Sequence, residues 1–492
     1  MSAGRRGEGR RVRRSRGHRG QASLNSLSHA QHLVALRRWL LSEERIFAGL
    51  TRHGNTKWQP ADLIWLALCW GWAESKNVTD AFETALGQCR VLGLVPLSTY
   101  QGFMHALVGW TDRLMVVMWP RLHVCLERIG GPSWQVGDWV PIAFDGSRSS
   151  APRTKANEKA LCATNYGHGM TAKYRKKKTK GMRRRKNEKN KAEPQKPQAW
   201  ITLMWHMGLR LPWMWRLGPS NSSERAHVNE MLQAGDFPKN TLFCGDAGFV
   251  GYPLWSQILS AGSHFLVRVG SNVNLLSEST RWRSQDGARV VCWPQAARNS
   301  GSPPLRLRLV RVKIGKTKMW MLTSVLESGK LTKTQIARLY SMRWGIEVEF
   351  RGLKQTLDRA KLRCRNDRRL LAELNWSLLA MTVAELFALK QQLKPSTKKA
   401  GPVVDLKRRS LAKTIRALRS CLNDLERIPA SGEDLLTRLR LAVTDDYVRT
   451  SSKRARYHPQ NPDKKPIGDP HIEKLTTKHQ QAMDALNAQT AA

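Results

Sequence analysis

Three acidic residues in this chain have the types and local settings that phosphoryl transfer requires. Asp145 ends a short apolar run, Val140-Pro-Ile-Ala-Phe144, and is followed by Gly-Ser-Arg148. Asp246 ends a second, residues 241–244, within Gly245-Asp246-Ala-Gly-Phe249. Glu347 lies in residues 331–357, LTKTQIARLYSMRWGIEVEFRGLKQTL. Two aspartates at strand ends and a glutamate on a later helix form an all-oxygen set of the kind that holds Mg²⁺. Paired ions about 3.5–4 Å apart suit an in-line displacement at phosphorus, with water or a 3′-hydroxyl as nucleophile. No Ser–His pair is needed.

The surroundings of Glu347 fit that chemistry. Thr332 and Gln335 predict a capping box that opens a helix. At about 100° per residue, Tyr340, Arg343, Glu347 and Lys354 share an arc of roughly 60°. Leu339, Ile346, Phe350, Leu353 and Leu357 form a separate apolar stripe. Arg343 and Lys354 would grip phosphates beside the scissile one, and Tyr340 would pack on the same backbone. Glu349 points nearly the opposite way. Taken alone, this is also the pattern of a surface helix with an i, i+4 Arg343–Glu347 pair.

The elements that must position these residues read as an α/β sheet. Residues 140–144, 200–205, 209–217, 241–244 and 264–269 form strands, with Gly208 at a turn. Helices cover residues 222–235 (capped by Ser222 or Ser223) and 252–261. Asp145 and Asp246 then sit at carboxyl ends of strands, where open α/β sheets gather ligands. A basic loop, 173–191, and a β-insertion, about 270–327, interrupt the sheet. In the insertion, the alternation along residues 305–314 slips at Leu309–Val310, which predicts a bulge. Asp138, Asp286, His168 and Glu224 carry no ligating spacing and read as structural or solvated.

The flanking segments are of other kinds. Residues 1–22 read as a disordered basic arm. Residues 23–135 are expected to form a helical DNA-binding domain, with Ser98 capping one helix and Pro120 kinking or breaking another. The catalytic domain spans 136–369. Residues 370–450 are a helical C-terminal region, with Trp376 and Phe387 in its core and a linker at 395–402. Residues 451–492 read as a basic tail. The 83 Lys and Arg against 38 Asp and Glu give +45. A charge that large calls for a polyanionic partner, nucleic acid above all. The apolar run at 61–72 is too short to span a bilayer, so no membrane role is expected. The Arg-rich first residues, with no apolar segment behind them, are not expected to act as a secretory signal. The eight dispersed cysteines point to a reducing compartment rather than to disulfides or a zinc knuckle.

Tyr340-x2-Arg343-x3-Glu347-x6-Lys354 resembles the Tyr-Arg-Glu-Lys signature of the insertion-sequence-four group of DDE transposases. Phe144-Asp145-Gly-Ser-Arg148 and Gly245-Asp246-Ala-Gly-Phe249 are similar to that family's two Asp segments. The resemblance covers roughly residues 139–357 and leaves the basic loop without a counterpart. It implies an RNase H-like catalytic core with Asp145, Asp246 and Glu347 holding Mg²⁺ or Mn²⁺, and Tyr340, Arg343 and Lys354 on the DNA. It implies double-stranded DNA as partner, both terminal inverted repeats and target, nicked and joined through the 3′-hydroxyl. In the better-understood members of that family a dimer pairs the two ends and excision passes through a DNA hairpin. A homodimer in the DNA complex and work at the bacterial nucleoid in the cytoplasm are expected here. An aromatic of the β-insertion, Trp282 or Trp293, would hold a flipped base. The other readings are a non-catalytic DNA-binding descendant and a metal-dependent nuclease of the same fold.

Overall fold

The computed structural model describes residues 27–41, 44–51, 53–54, 56, 58–94, 97–162, 196–277, 279–283, 287–315, 317–393, 405–444 and 468–491. The basic arm, the 173–191 loop, the 395–402 linker, His168, Asp286 and the first part of the tail lie outside these residues.

Strands β1 (Val140–Ser150), β2 (Gln198–His206), β3 (Leu211–Gly218), β4 (Thr241–Gly245) and β5 (His264–Val269) make half of one sheet. The other half is β6 (Asn274–Ser277), β7 (Ala288–Cys292), β8 (Leu305–Ile314), β9 (Thr317–Thr323) and β10 (His471–Lys474). The order across the sheet is β10-β6-β7-β8-β9-β5-β4-β1-β2-β3. β1, β4 and β5 are parallel, and β2 and β3 fold back antiparallel on β1. The β-insertion is therefore not a separate sheet. β9 pairs antiparallel with β5 and extends the central one.

The helices are α1 (His29–Leu41), α2 (Pro60–Trp72), α3 (Val78–Val91), α4 (Tyr100–Gly130), α5 (Lys155–Leu161), α6 (Glu224–Ala234) and α7 (Tyr252–Ser260). There follow α8 (Gln295–Asn299), α9 (Lys333–Arg343), α10 (Gly345–Arg351), α11 (Asp367–Gln392), α12 (Leu411–Leu422), α13 (Leu435–Arg440) and α14 (Thr477–Ala491). Alternation along β3 assigns the two faces of the sheet. The Trp213 ring stacks on His123 of α4 and Trp215 Nε1 donates to Asn375 of α11, whereas Arg216 reaches both Glu230 of α6 and the Trp119 ring of α4.

Several sequence expectations are corrected here. Asp145 is not at the end of its strand, because β1 runs on to Ser150 by pairing with β2. Polar residues 145–150 hide that extension, since backbone pairing rather than side-chain burial holds it. Pro120 does not break its helix. α4 is one helix of 31 residues, capped by Thr99 rather than Ser98. Arg121, next to the proline, bonds the Trp39 and Leu40 carbonyls and helps hold the helix through it. The bulge expected at Leu309–Val310 is absent, as β8 pairs with β9 in unbroken register. The phase slip arises because Arg308 is buried and bonded to the Leu331 carbonyl at 2.5 Å. Gly208 does lie in the β2–β3 turn, as expected, and the positive φ of that turn falls at Arg210 (58°). Gly208 instead makes room for the Ser133 carbonyl. The tail contributes structure too. β10 pairs parallel with β6, and Asp469 accepts from Trp320 Nε1 at 2.9 Å.

The N-terminal helices share their core with α11. Trp72 Nε1 donates to the Ala380 carbonyl at 2.8 Å, and Trp376 Nε1 to Thr111 Oγ1 at 2.9 Å. Among the described residues α11 is the one helix long and apolar enough to cross a membrane, and it is buried inside this core. At Gly71 a Cβ would stand 2.6 Å from the Ala380 Cβ, whereas one at Gly87 of α3 would meet nothing within 4 Å. Gly71→Ala is therefore expected to lower the unfolding free energy by about 1–3 kcal/mol through overpacking. Gly87→Ala should raise it by up to about 1 kcal/mol through helix propensity. Urea titration of both variants checks this, and equal effects would contradict the packing.

Candidate active site

The site is built on the register of β1 and β4. Their parallel pairs run from Val140↔Thr241 to Ala143↔Cys244. Asp145 and Asp246 each lie two positions beyond that last pair, which puts them side by side at one edge. Aromatic packing fixes the floor beneath them. Phe144 lies 4.4 Å from Phe249, ring centre to ring centre. A Cβ at Gly245 would come within 2.6 Å of the Phe144 ring, so the glycine of the second segment makes this close approach possible. The Asp246 carboxylate accepts from the Gly248 N–H at 2.7 Å, and that of Asp145 from the Gly146 N–H at 2.8 Å.

The third acid arrives on α10. The capping box at Thr332 and Gln335 is formed, and α9 begins there as expected. The long helix is not continuous, however. α9 ends at Arg343, α10 begins at Gly345, and residues Gly352–Thr356 make a widened π-helical turn. Gly345 sits where any side chain would collide with the Trp205 indole, so β2 sets the place of the break. Glu347 is half-buried in the first turn of α10 and bears electrostatically on Asp145.

Arg343 is buried beside Asp145, with Nη1 3.7 Å from Oδ2. Its guanidinium also lies 5.3 Å from the centre of the buried Tyr340 ring. Its Nε is buried and has no hydrogen-bond partner, so a donor stands free in the site. Lys354 comes back over β1 and donates to Ser147 Oγ at 2.7 Å. Burial pushes the Lys354 ammonium below its ordinary value. Burial likewise raises Asp145, helped by Asp246 and Glu347. The Gly146 N–H and Arg343 act the other way without cancelling it. The structure thus brings Asp145, Asp246, Glu347, Arg343, Lys354 and Tyr340 to one place.

Spacing alone gave no reason to include Glu224, which belongs to this place as well. It opens α6, and its carboxylate lies against Gly146, where a Cβ would collide with it. Burial, then Asp145 and Asp246, raise its carboxyl, with Arg148 and Arg225 opposing. The Gly that follows Asp145 was the available signal. Trp282 and Trp293, by contrast, are buried. Trp282 packs on Trp320, and Trp293 Nε1 bonds the Ser302 carbonyl. The exposed indole beside the site is Trp344.

Glu349, as the wheel predicts, faces away. It is buried, with Trp205 Nε1 donating to it at 3.3 Å and Glu385 alongside.

The acidic donors are all hard oxygen atoms, which fits Mg²⁺ or Mn²⁺ by type. Among the described residues no three acidic, His or Cys side chains converge closely enough to enclose an ion unaided. Mg²⁺ is commonly held by one or two carboxylates completed by substrate phosphates, so an open set of this kind fits it.

Residues 140–383 match the family model described as "Transposase DDE domain". That stretch is similar to a DDE transposase domain. No curated protein matches the chain. Among solved structures, it is similar to a piggyBac transposase seen by cryo-EM in a synaptic complex with hairpin DNA. The identity is 12% and the TM-score 0.38, over 87% of this chain and 88% of that one.

Burial and the Glu385 carboxylate raise Glu349 well above the ordinary glutamate range, while Arg409 opposes them. A raised folded-state value means the native chain keeps a proton that the unfolded chain has lost. Stability held that way is lost as pH rises through the folded value. Glu349→Gln keeps the shape without the ionisation. Wild-type unfolding free energy is expected to fall relative to this variant as pH rises above about 4.5. Denaturant titrations across pH check this, and a constant difference would contradict it.

Proposed function

We propose that the chain is a DNA transposase of the insertion-sequence type, cutting and joining DNA at terminal inverted repeats by a cut-and-paste route. The observation that carries this reading is the gathering of Asp145, Asp246 and Glu347 with Arg343 and Lys354 at one sheet edge of a DDE domain. The β3-β2-β1-β4-β5 order, antiparallel then parallel, supports an RNase H-like reading of that half of the sheet. The Tyr-Arg-Glu-Lys spacing supports the insertion-sequence-four group. The net charge of +45 supports DNA as the partner.

Asp145, Asp246 and Glu347 would hold Mg²⁺, or Mn²⁺ in its place. Bound there, the ions would stabilise charge on the attacking and leaving oxygens of an in-line displacement. The chain's own residues do the rest. Arg343, fixed by burial against Tyr340 and Asp145, presents its unpaired Nε to a phosphate oxygen. Lys354 supplies a second cation from the β1 side. Water attacks the scissile phosphorus and frees a 3′-hydroxyl, which then attacks the target phosphate. A homodimer would hold the two ends, in the cytoplasm at the nucleoid.

The test is cleavage and joining of a duplex carrying the inverted repeat that flanks the gene, with Mg²⁺. Glu347→Gln is expected to lose at least about 100-fold in rate while still binding the repeat. Glu349→Gln should retain both cutting and joining. Full activity of Glu347→Gln would remove the catalytic assignment. Cutting without joined product would favour a nuclease, and tight binding without cutting by wild type a non-catalytic descendant.

A further inference from the structure

β1 continues past Asp145, and the continuation carries a hydroxyl to the site. Ser147 lies two residues on, so it shares the Asp145 face of the strand and stands roughly 7 Å further along it. Its place is fixed from both sides. Ser147 pairs with Ile201 of β2. Just beyond, the Ser150 N–H donates to the Ala360 carbonyl at 2.9 Å, and the Ser150 carbonyl accepts from the Leu362 N–H at 2.8 Å. The π-helical turn at Gly352–Thr356 comes immediately before that tie, closed by the Leu357 N–H on the Gly352 carbonyl at 3.2 Å. Widened turns of this kind are frequent at functional sites. Lys354 stands in this one, and its ammonium donates to Ser147 Oγ at 2.7 Å.

A lysine on a serine is commonplace at a protein surface, where water replaces the hydroxyl at little cost. Two features set this pair apart. Lys354 is half-buried, and burial pushes its ammonium below the ordinary value. Among the described residues no carboxylate pairs with it, and the Ser147 hydroxyl is its one hydrogen-bond partner. An ammonium has three donors, so two remain for an anion. The lysine stem is long and flexible, and a fixed acceptor at its tip decides where those two point.

We infer that Ser147 is a positioning residue, whose hydroxyl holds the Lys354 ammonium over the phosphate next to the scissile one. The inference rests on the reading of Lys354 as a phosphate-gripping cation of a DNA-cleaving site. Ser147 itself touches no DNA in this role, and its whole effect on cleavage passes through Lys354.

The experiment is single-turnover cleavage of the repeat duplex with Mg²⁺, the full chain being in excess. Ser147→Ala is expected to slow cleavage about tenfold, as for the loss of one hydrogen bond to a charged group. Ser147→Thr returns the hydroxyl and should recover most of that rate. Lys354→Gln should lose at least as much as Ser147→Ala. The double variant should cut within about twofold of Lys354→Gln alone, because the hydroxyl then has nothing to position. A merely structural loss at residue 147 would instead multiply with the loss of Lys354. A double variant slower than Lys354→Gln by the full Ser147→Ala factor would overturn the inference, as would a Ser147→Thr rate equal to that of Ser147→Ala. Wild-type cleavage by Ser147→Ala beside a slow Lys354→Gln would also overturn it, and leave the site reading standing. If Lys354→Gln cuts as wild type, or wild type does not cut, the reading beneath fails and the inference with it.

Discussion

Like charges can be held side by side in a protein only by a frame stiffer than their repulsion, and here the frame is the parallel register of β1 on β4. Two unit charges 4 Å apart repel by about 4 kcal/mol at an effective dielectric near 20. Side chains on loops would swing apart under such a load. Asp145 and Asp246 are instead carried two positions past a run of paired residues, over the packed rings of Phe144, Phe243 and Phe249. Burial raises Asp145 despite the guanidinium beside it, so the edge is under electrostatic load in the free protein. A divalent cation relieves that load more effectively than Arg343 does at 3.7 Å.

The rest of the molecule serves that edge. β2 carries Trp205, whose ring fixes where α9 gives way to α10 and so where Glu347 points. Beneath it the buried Glu349 and Glu385 lie with Arg409 and the half-buried Arg210 in one polar group. Arg409 reaches in from the C-terminal region and bonds the carbonyls of Leu209 and Arg210 in the β2–β3 turn. Leu411 fills the space behind Gly352 at the start of the π-helical turn that presents Lys354. The C-terminal helices thus brace the back of the site helix, and α11 ties that brace to the N-terminal helices.

What was legible in the sequence follows the physics of each signal. Asp145 and Asp246 could be placed on neighbouring strands because apolar runs ending in Asp-Gly and Gly-Asp are short-range patterns. The facing of Glu347 against Glu349 followed from helix geometry, which survives the break at Trp344. The capping box was a local motif and formed as one. Glu224 was not legible, because its place depends on a glycine 78 positions earlier and on the pairing that brings α6 over it. The extension of β1, the continuity of α4 through Pro120 and the β10 strand were hidden for a related reason. Each is held by partners remote in sequence, and propensity carries no record of them.

The most direct test of the account is to let a cation report its own neighbours. Fe²⁺ bound in place of Mg²⁺, with ascorbate and peroxide, generates hydroxyl radicals that cut the nearest peptide bonds. Mass spectrometry of the fragments should show cuts around residues 145–146, 246–247 and 347, suppressed together by excess Mg²⁺. Cuts that miss any one of these three segments, or that fall instead across the basic surface, would contradict the claim that they surround one cation site.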